Sequence, residues 1–483
     1  MSTGRCAPLA GALAPGKPSP CNRQTALATF RASPWRPTLV SDAALPPSDS
    51  DRGPTIWSRL ALLLGPLAGL LGAFAMAGAG WPPTACYAVL ITLWVVVWWV
   101  FEPIPIPATS LLPLALMPAL GVLPQAEVAR AYGSPLILLL LGGFILSTAM
   151  AHSGAHRRVA LTMVAAFGTR SSKRLVLGFM AASAALSMWI SNTATTLMLL
   201  PVALAVLERA PSPALATPLL LGIAFSASVG GVGTPIGTPP NLIFMQVYEN
   251  TTGTALSFLD WMGWGVPVVL VMIPVIWLWL TRKLGDMPPV SVPSAGPWRP
   301  AEARVLTVFA LTALAWITRS EPFGGWSALF GMPGARDAGV AFVAVISLFL
   351  IPNGEGKKLL DWQVAEQIPW GMLLLFAGGI TIARAFEATG ISEALGTQLS
   401  ALAAFPTIVT IAVICLVITF LTEMTSNTAT TTLMMPILAA AAIGAGIAPE
   451  ALMVPAAMSA SCAFMMPVAT APNAIMFGTG RSP

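Results

Sequence analysis

A hexapeptide of small polar residues, Ser191-Asn192-Thr193-Ala194-Thr195-Thr196, recurs letter for letter as Ser426-Asn427-Thr428-Ala429-Thr430-Thr431, each copy inside an apolar stretch. Hydroxyls and amides are costly to bury there unless they are bonded. In one arrangement the hydroxyls bond back to helix carbonyls and the amide bridges neighbouring helices. In the other the motif is the tip of a helical hairpin and a ligand site. The helix that restarts after such a tip presents unbonded N–H groups and a positive dipole end, which can hold a carboxylate or sulfate without a buried arginine. Hydroxyls and the asparagine N–H₂ add neutral donors. The asparagine carbonyl, the serine oxygens and unwound backbone carbonyls are hard oxygen ligands suited to Na⁺. One tip can therefore hold a cation beside an anion, and two tips meeting would hold both ends of a dianion. No titrating group is needed, which argues for Na⁺ over H⁺. One copy would leave the two arrangements balanced; two copies, each followed by a Gly/Pro-broken segment, favour the site.

The hexapeptides belong to a longer repeat. A proline follows each at the same offset, Pro201 and Pro436. Upstream, a leucine-rich run ending in Gly142-Gly143 matches one ending in Gly378-Gly379, and Ser153-Gly154 matches Thr389-Gly390. Downstream, Thr238-Pro239-Pro240-Asn241 matches Thr470-Ala471-Pro472-Asn473. Repeats with glycine and proline breaks at corresponding places point to a secondary-transporter site.

The elements that carry these motifs must lie in a membrane. Hydrophobic residues make up 56% of the 483 and charged residues 9%, against about 25% charged in a soluble domain. Apolar segments follow one another from Ser58 onward, near 58–79, 84–101, 105–123, 135–153, 174–207, 215–248, 261–281, 303–318, 324–351, 369–388, 405–442 and 450–477. About 20 apolar residues make one crossing. The 174–207 and 405–442 segments carry the polar clusters at their middles, and 215–248 is broken by Gly230, Gly231, Gly233, Pro235, Gly237, Pro239 and Pro240. Such backbone at membrane depth belongs around a cavity or inside protein.

Basic residues set the orientation. Arg157, Arg158, Arg170, Lys173 and Arg174 follow the first Gly-Gly segment, whereas Ser392 to Thr410 contains no Lys or Arg. Positive loops stay in the cytoplasm, so the two repeats are expected to be inverted, with the tips approaching the midplane from opposite sides. Arg282-Lys283 and Lys357-Lys358 agree. The small net charge of +5, gathered in loops, argues against nucleic-acid binding.

Other chemistry is poorly supplied. Cys6, Cys21, Cys86, Cys415 and Cys462 lack metal spacing, His152 and His156 alone do not complete a zinc site, and Gly230–Gly233 lacks the Lys-Ser/Thr ending of a phosphate loop. Glu423, just before the second motif, reads first as a carboxylate partnered by local N–H groups and second as part of ion coupling. Glu102 reads as interfacial, Arg384 and Glu387 as an (i, i+3) pair, and the sixteen tryptophans mostly as interface anchors. Residues 1–56 are rich in Pro, Ser, Ala and Arg and read as a disordered tail or an upstream start, in preference to an organelle transit peptide.

The stretches SMWISNTATT (187–196), GGVGTPIGTPPN (230–241), TEMTSNTATT (422–431) and CAFMMPVATAPNAIMFGTG (462–480) resemble the divalent anion:sodium symporter family, from about residue 80 to the C-terminus. The resemblance implies an all-α polytopic fold with inverted repeats, two re-entrant hairpins and broken helices, working as a homodimeric elevator. Scaffold helices would span 57–134 and 259–368, with a connecting arm in the latter; the transport domain would span 135–258 and 369–483. By motif position, Na⁺ would be held by Ser187, Ser191, Asn192 and the Gly237 carbonyl in one site. The second would use Thr422, Ser426, Asn427 and the Ala469 carbonyl. Substrate would meet Asn192, Thr193, Thr238, Asn427, Thr428 and Thr470. The implied activity is Na⁺ symport of C4-dicarboxylates across a bacterial inner membrane, without a cofactor and not as an enzyme. Citrate, sulfate or anion exchange are the same-scaffold alternatives, and a non-transporting chain the alternative of another class. Ala471 stands where the family has proline, and the family continues beyond Gly480 into a further membrane helix, so the transport domain is expected to be short at this end.

Overall fold

The structure, a computed structural model, describes residues 56–481 except 169–170, 211, 286–292, 321–323 and 400–404; the expected tail, up to residue 55, lies outside them. Among the described residues the elements are helical, and eight helical stretches are long and apolar enough to cross a bilayer. The chain is a multi-pass membrane protein.

Helices α1 (Ile56–Gly78) and α2 (Pro83–Phe101) form an antiparallel pair. A Cβ on Gly69 would come within 2.4 Å of the Leu90 carbonyl oxygen, so only glycine admits this approach, the small-residue packing expected where no hydrophobic force drives helices together. Trp98 Nε1 donates to Ala61 O across the same pair. The other face of α1 is apolar and exposed, with Leu63 at 76% and Phe74 at 73%, as suits a helix against lipid. The short α3 (Ile106–Thr109), α4 (Leu112–Ala119) and α5 (Gln125–Tyr132) lead to α6 (Pro135–Ser153), whose N-cap Ser134 accepts from Ile137 N. Gly154, left-handed at φ 78°, turns the chain into α7 (Ala155–Phe167).

From there one element order occurs twice. In the first round, α8 (Ser172–Ser187) and α9 (Asn192–Arg209) are followed by α10 (Ala216–Gly231) and α11 (Pro239–Thr252). Next come α12 (Phe258–Thr281), α13 (Pro300–Ile317), the short α14 (Gly325–Leu329), α15 (Asp337–Leu350) and the single turn α16 (Trp362–Ala365). The second round begins with α17 (Trp370–Ala388) and α18 (Ile391–Leu399) in the places of α6 and α7. It continues with α19 (Thr407–Met424), α20 (Asn427–Gly444), α21 (Pro449–Ala460) and α22 (Ala471–Phe477). The three sequence segments too long for one helix are each two helices around a break.

Two expectations change. Arg384 does not pair with Glu387 but reaches Glu127 of α5 at 3.2 Å, because α17 packs against α5 and brings that carboxylate across the interface. Several tryptophans are internal struts, not interface anchors. Trp99 is 1% exposed and donates to Ser110 Oγ, and Trp189, Phe258 and Trp316 stack on one another. Trp279, 64% exposed with Arg282 over its ring, does suit an interface.

Arg158 ties α7 to the start of α13. It is buried, bonds Glu302 at 2.6 Å, and donates further to the carbonyls of Ala295, Gly296 and Pro297. Breaking a buried pair leaves an uncompensated charge. Glu302→Leu should therefore destabilise by about 3–5 kcal/mol, and Arg158→Met/Glu302→Leu by clearly less, in thermal unfolding of detergent-solubilised protein. Gly69→Leu should abolish the monodisperse peak in size-exclusion chromatography, whereas Gly78→Ala, where a Cβ meets nothing within 4 Å, should leave it intact.

Candidate functional site

Helix α8 ends at Ser187 and α9 restarts at Asn192, with Ser191 as N-cap accepting from Ala194 N at 3.2 Å. Across this tip the Ser187 hydroxyl donates to Asn192 Oδ1 at 2.6 Å, and Thr196 donates back to Asn192 O. The second tip repeats the geometry. The Thr422 hydroxyl donates to Asn427 Oδ1 at 2.7 Å, and Thr431 donates to Asn427 O. Part of the first arrangement open in sequence is present, since threonines further along bond back to carbonyls, while the asparagine oxygen accepts from the hydroxyl before it across the turn.

Beside each tip lies a break. Between α10 and α11, residues 232–238 leave helical bonding, and Trp261 Nε1 covers Val232 O at 2.8 Å. A Cβ on Gly231 would stand 2.7 Å from Asn192 Oδ1 and 3.2 Å from Gly237 O; glycine there lets the amide oxygen of the tip and the carbonyl of the break both approach this residue. Between α21 and α22, Thr470 caps the restarting helix by accepting from Asn473 N.

The two tips and two breaks line one cavity of about 830 Å³. All six residues of the expected substrate set, Asn192, Thr193, Thr238, Asn427, Thr428 and Thr470, lie on it. Of the expected cation ligands, Ser191, Gly237, Ser426 and Ala469 also line it, while Ser187 and Thr422 stand fully buried behind the asparagines they bond. Opposite are residues the sequence did not single out for this role: Trp99 and Val100 at the end of α2, Leu140 and Phe144 on α6, and Pro369 and Met372 at the start of α17. No motif marks them, since they are ordinary apolar residues brought there by packing.

Among the described residues no lysine or arginine lines the cavity. The N-terminal ends of α9 and α20 reach it, and the first turn of a helix leaves N–H groups without an intrahelical partner, an environment that suits an anion. The cavity's carboxylates are Glu102, the left-handed C-cap of α2 at φ 45°, and Glu423. Glu423 is 4% exposed and accepts from Met465 N at 2.9 Å and Met466 N at 2.8 Å, the N–H-partnered arrangement expected first. At the corresponding place in the first tip stands Met188, whose backbone carbonyl accepts from Thr234 Oγ1. The two tips are thus tied to their breaks by different means.

The family model described as citrate transporter matches residues 96–457. The sodium-dependent dicarboxylate transporter SdcS of Staphylococcus aureus strain USA300 is 39% identical over 447 residues, spanning 87% of this chain and 85% of that protein. The same transporter from strain NCTC 8325 / PS 47 matches to the same extent. Among solved structures, the YdaH transporter of Alcanivorax borkumensis shares the fold at 14% identity and a TM-score of 0.53, over 74% of this chain and 80% of that one. A model match across most of the chain and a relative at this identity place the protein: it belongs to the divalent anion:sodium symporter family, whose members are transporters and not enzymes.

Proposed function

We propose that the chain is a sodium-coupled symporter of C4-dicarboxylates such as succinate, malate and fumarate. The observation that carries this reading is the matched pair of tips, Ser187–Asn192 and Thr422–Asn427, facing one cavity that no basic side chain lines among the described residues. Each tip offers hard oxygens for a cation on one side and unbonded N–H groups for a carboxylate on the other. One ion is held by Ser187, Ser191, Asn192 and the Gly237 carbonyl, and another by Thr422, Ser426, Asn427 and the Ala469 carbonyl. The dianion lies between the tips against Asn192, Thr193, Thr238, Asn427, Thr428 and Thr470. The sodium-dependent dicarboxylate transporter at 39% identity supports both coupling ion and substrate class.

The two rounds of helices are inverted repeats. Basic residues follow α6 at Arg157 and Arg158, whereas the described residues after α17 up to Thr410 hold no Lys or Arg, so the positive-inside rule puts the first linker in the cytoplasm and its counterpart outside. Lys357-Lys358 shortly precede Pro369 and Met372 on the cavity wall. Transport then runs as an elevator cycle. In that cycle 135–258 and 369–483 move as transport domain against scaffold helices in 57–134 and 259–368, in a homodimer of a bacterial inner membrane.

The family model described as citrate transporter, together with a cavity of about 830 Å³, supports citrate as a second substrate reading. Labelled succinate uptake into proteoliposomes, with and without an inward Na⁺ gradient and with citrate or sulfate as competitor, decides between them. Na⁺-dependent succinate uptake, weakly competed by citrate, is expected; uptake indifferent to Na⁺ would overturn the proposal. Asn192→Ala and Asn427→Ala should each abolish uptake while leaving membrane insertion unchanged; full activity in either removes that tip from the site.

Ala471, on the cavity wall, is the first residue of α22, where the first repeat has Pro239. Proline fits this helix position but has no N–H. Ala471→Pro should leave folding intact and raise the succinate KM about tenfold or more, because one hydrogen bond to a charged group contributes about 1.5–3 kcal/mol. An unchanged KM would show that this N–H does not touch substrate.

A further inference from the structure

Both breaks are held by the same device, and neither holder belongs to the ligand sets above. Asn241 and Asn473 each occupy the third position of the helix that restarts after a break, and each is fully buried. Asn241 Nδ2 donates to Gly231 O at 2.9 Å and to Thr234 O at 2.7 Å. Asn473 Nδ2 donates to Ala463 O at 3.0 Å and to Met466 O at 3.2 Å. The acceptors lie ten and seven residues upstream in both repeats. One amide thus spends both of its hydrogens on the break: one on a carbonyl at or just past the end of the preceding helix, the other on a carbonyl, Thr234 O or Met466 O, that also accepts from Gly237 N or Ala469 N.

Two features separate this from ordinary core bonding. First, Oδ1 of both asparagines is buried without a hydrogen-bond partner. An unmade acceptor is destabilising, so the donors are what each site retains an asparagine for. Second, Gly231, whose carbonyl is clamped, is the residue against which Asn192 Oδ1 and Gly237 O both lie. A shift of this carbonyl moves two oxygens relative to each other, and cation sites are sensitive to ligand spacing.

We propose that Asn241 and Asn473 are positioning residues of the two cation sites. Each fixes the unwound segment so that the break carbonyl, Gly237 or Ala469, and the tip amide oxygen, Asn192 or Asn427, share one ion. This inference rests on the sodium-symport reading and predicts a defect in ion affinity rather than in anion recognition.

The test uses the full-length protein in proteoliposomes, with Asn241→Leu and Asn473→Leu, which keep the number and branching of side-chain heavy atoms and remove the donors. In each, the Na⁺ concentration for half-maximal succinate uptake should rise about tenfold, while the succinate KM at saturating Na⁺ stays within about threefold. Thermal stabilisation of detergent-solubilised protein by NaCl over KCl, without succinate, should need correspondingly more Na⁺. Asn241→Ser and Asn473→Ser retain a shorter donor and should fall between wild type and leucine. If the leucine variants do not fold, the serine variants decide by the same readout. A folded variant whose Na⁺ dependence matches wild type, or whose loss falls on succinate KM alone, overturns the proposal. Wild-type protein without Na⁺ dependence in uptake or melting overturns the symport reading and the positioning role with it, an outcome recognisable because it appears before any substitution.

Discussion

Backbone that leaves helical bonding at membrane depth must find its partners inside the protein, because hydrocarbon supplies none. Four interruptions, at 188–191, 232–238, 425–426 and 461–470, set this demand, and much of the centre of the molecule answers it. Ser191 caps α9 and Thr470 caps α22. Trp261 covers Val232 O, and the two buried asparagines cover four more carbonyls. The groups left over at the tips face a shared cavity. In this sense the site consists of the polar surface that remains once the breaks are satisfied.

The two halves solve the same problem with different residues. In the first, a threonine hydroxyl on the break bonds a tip carbonyl, Thr234 to Met188. In the second, the tip carboxylate of Glu423 takes two N–H groups of the break, Met465 and Met466. The first uses a hydroxyl and a carbonyl, and the second uses the buried carboxyl group of Glu423, next to Thr422 in the chain. Packing differs as well. The first tip carries Trp189 into a stack with Phe258 and Trp316, whereas Met424 at the second tip is 82% exposed. Two segments that share a backbone plan thus differ in their polar partners and in their packing.

Much of this was legible in the sequence because the breaks demand particular residue types. The doubled hexapeptide fixed where the tips lie, since Ser, Asn and Thr are tolerated in an apolar run only where bonds or ligands await them. The glycines and prolines of 230–240 marked the first break for the same reason. The partners across space were not legible. Arg384 was paired with the carboxylate three residues along its own helix, and nothing local announced Glu127, more than 250 residues upstream. Trp99 looked like an interface anchor because tryptophan at the end of an apolar span usually is one; packing against Ser110 made it internal. Asn241 and Asn473 stood in the matched motifs, but their role depends on carbonyl positions that only the folded loops define.

The tip bond also bears on how ion and substrate can be coupled. The Ser187 hydroxyl satisfies Asn192 Oδ1 from within the chain, and the single hydrogen of the Thr422 hydroxyl is within reach of two acceptors, Asn427 Oδ1 and Ala460 O. A cation at either amide oxygen competes with a hydroxyl hydrogen, so its binding displaces a bond of about 1 kcal/mol instead of filling a desolvated hole. The displaced hydroxyl can rotate and present a lone pair, which turns the donor into a further ligand. A cation held there lies at the N-terminal end of the helix that meets the carboxylate. At an effective dielectric near 20, opposite charges about 4 Å apart attract by about 4 kcal/mol, several times the strength of the hydrogen bond given up. On the proposed reading, each ion entering with the other recovers part of its desolvation cost through this attraction, which is what would let a site with no basic side chain among the described residues favour the dianion and the cation together over either alone.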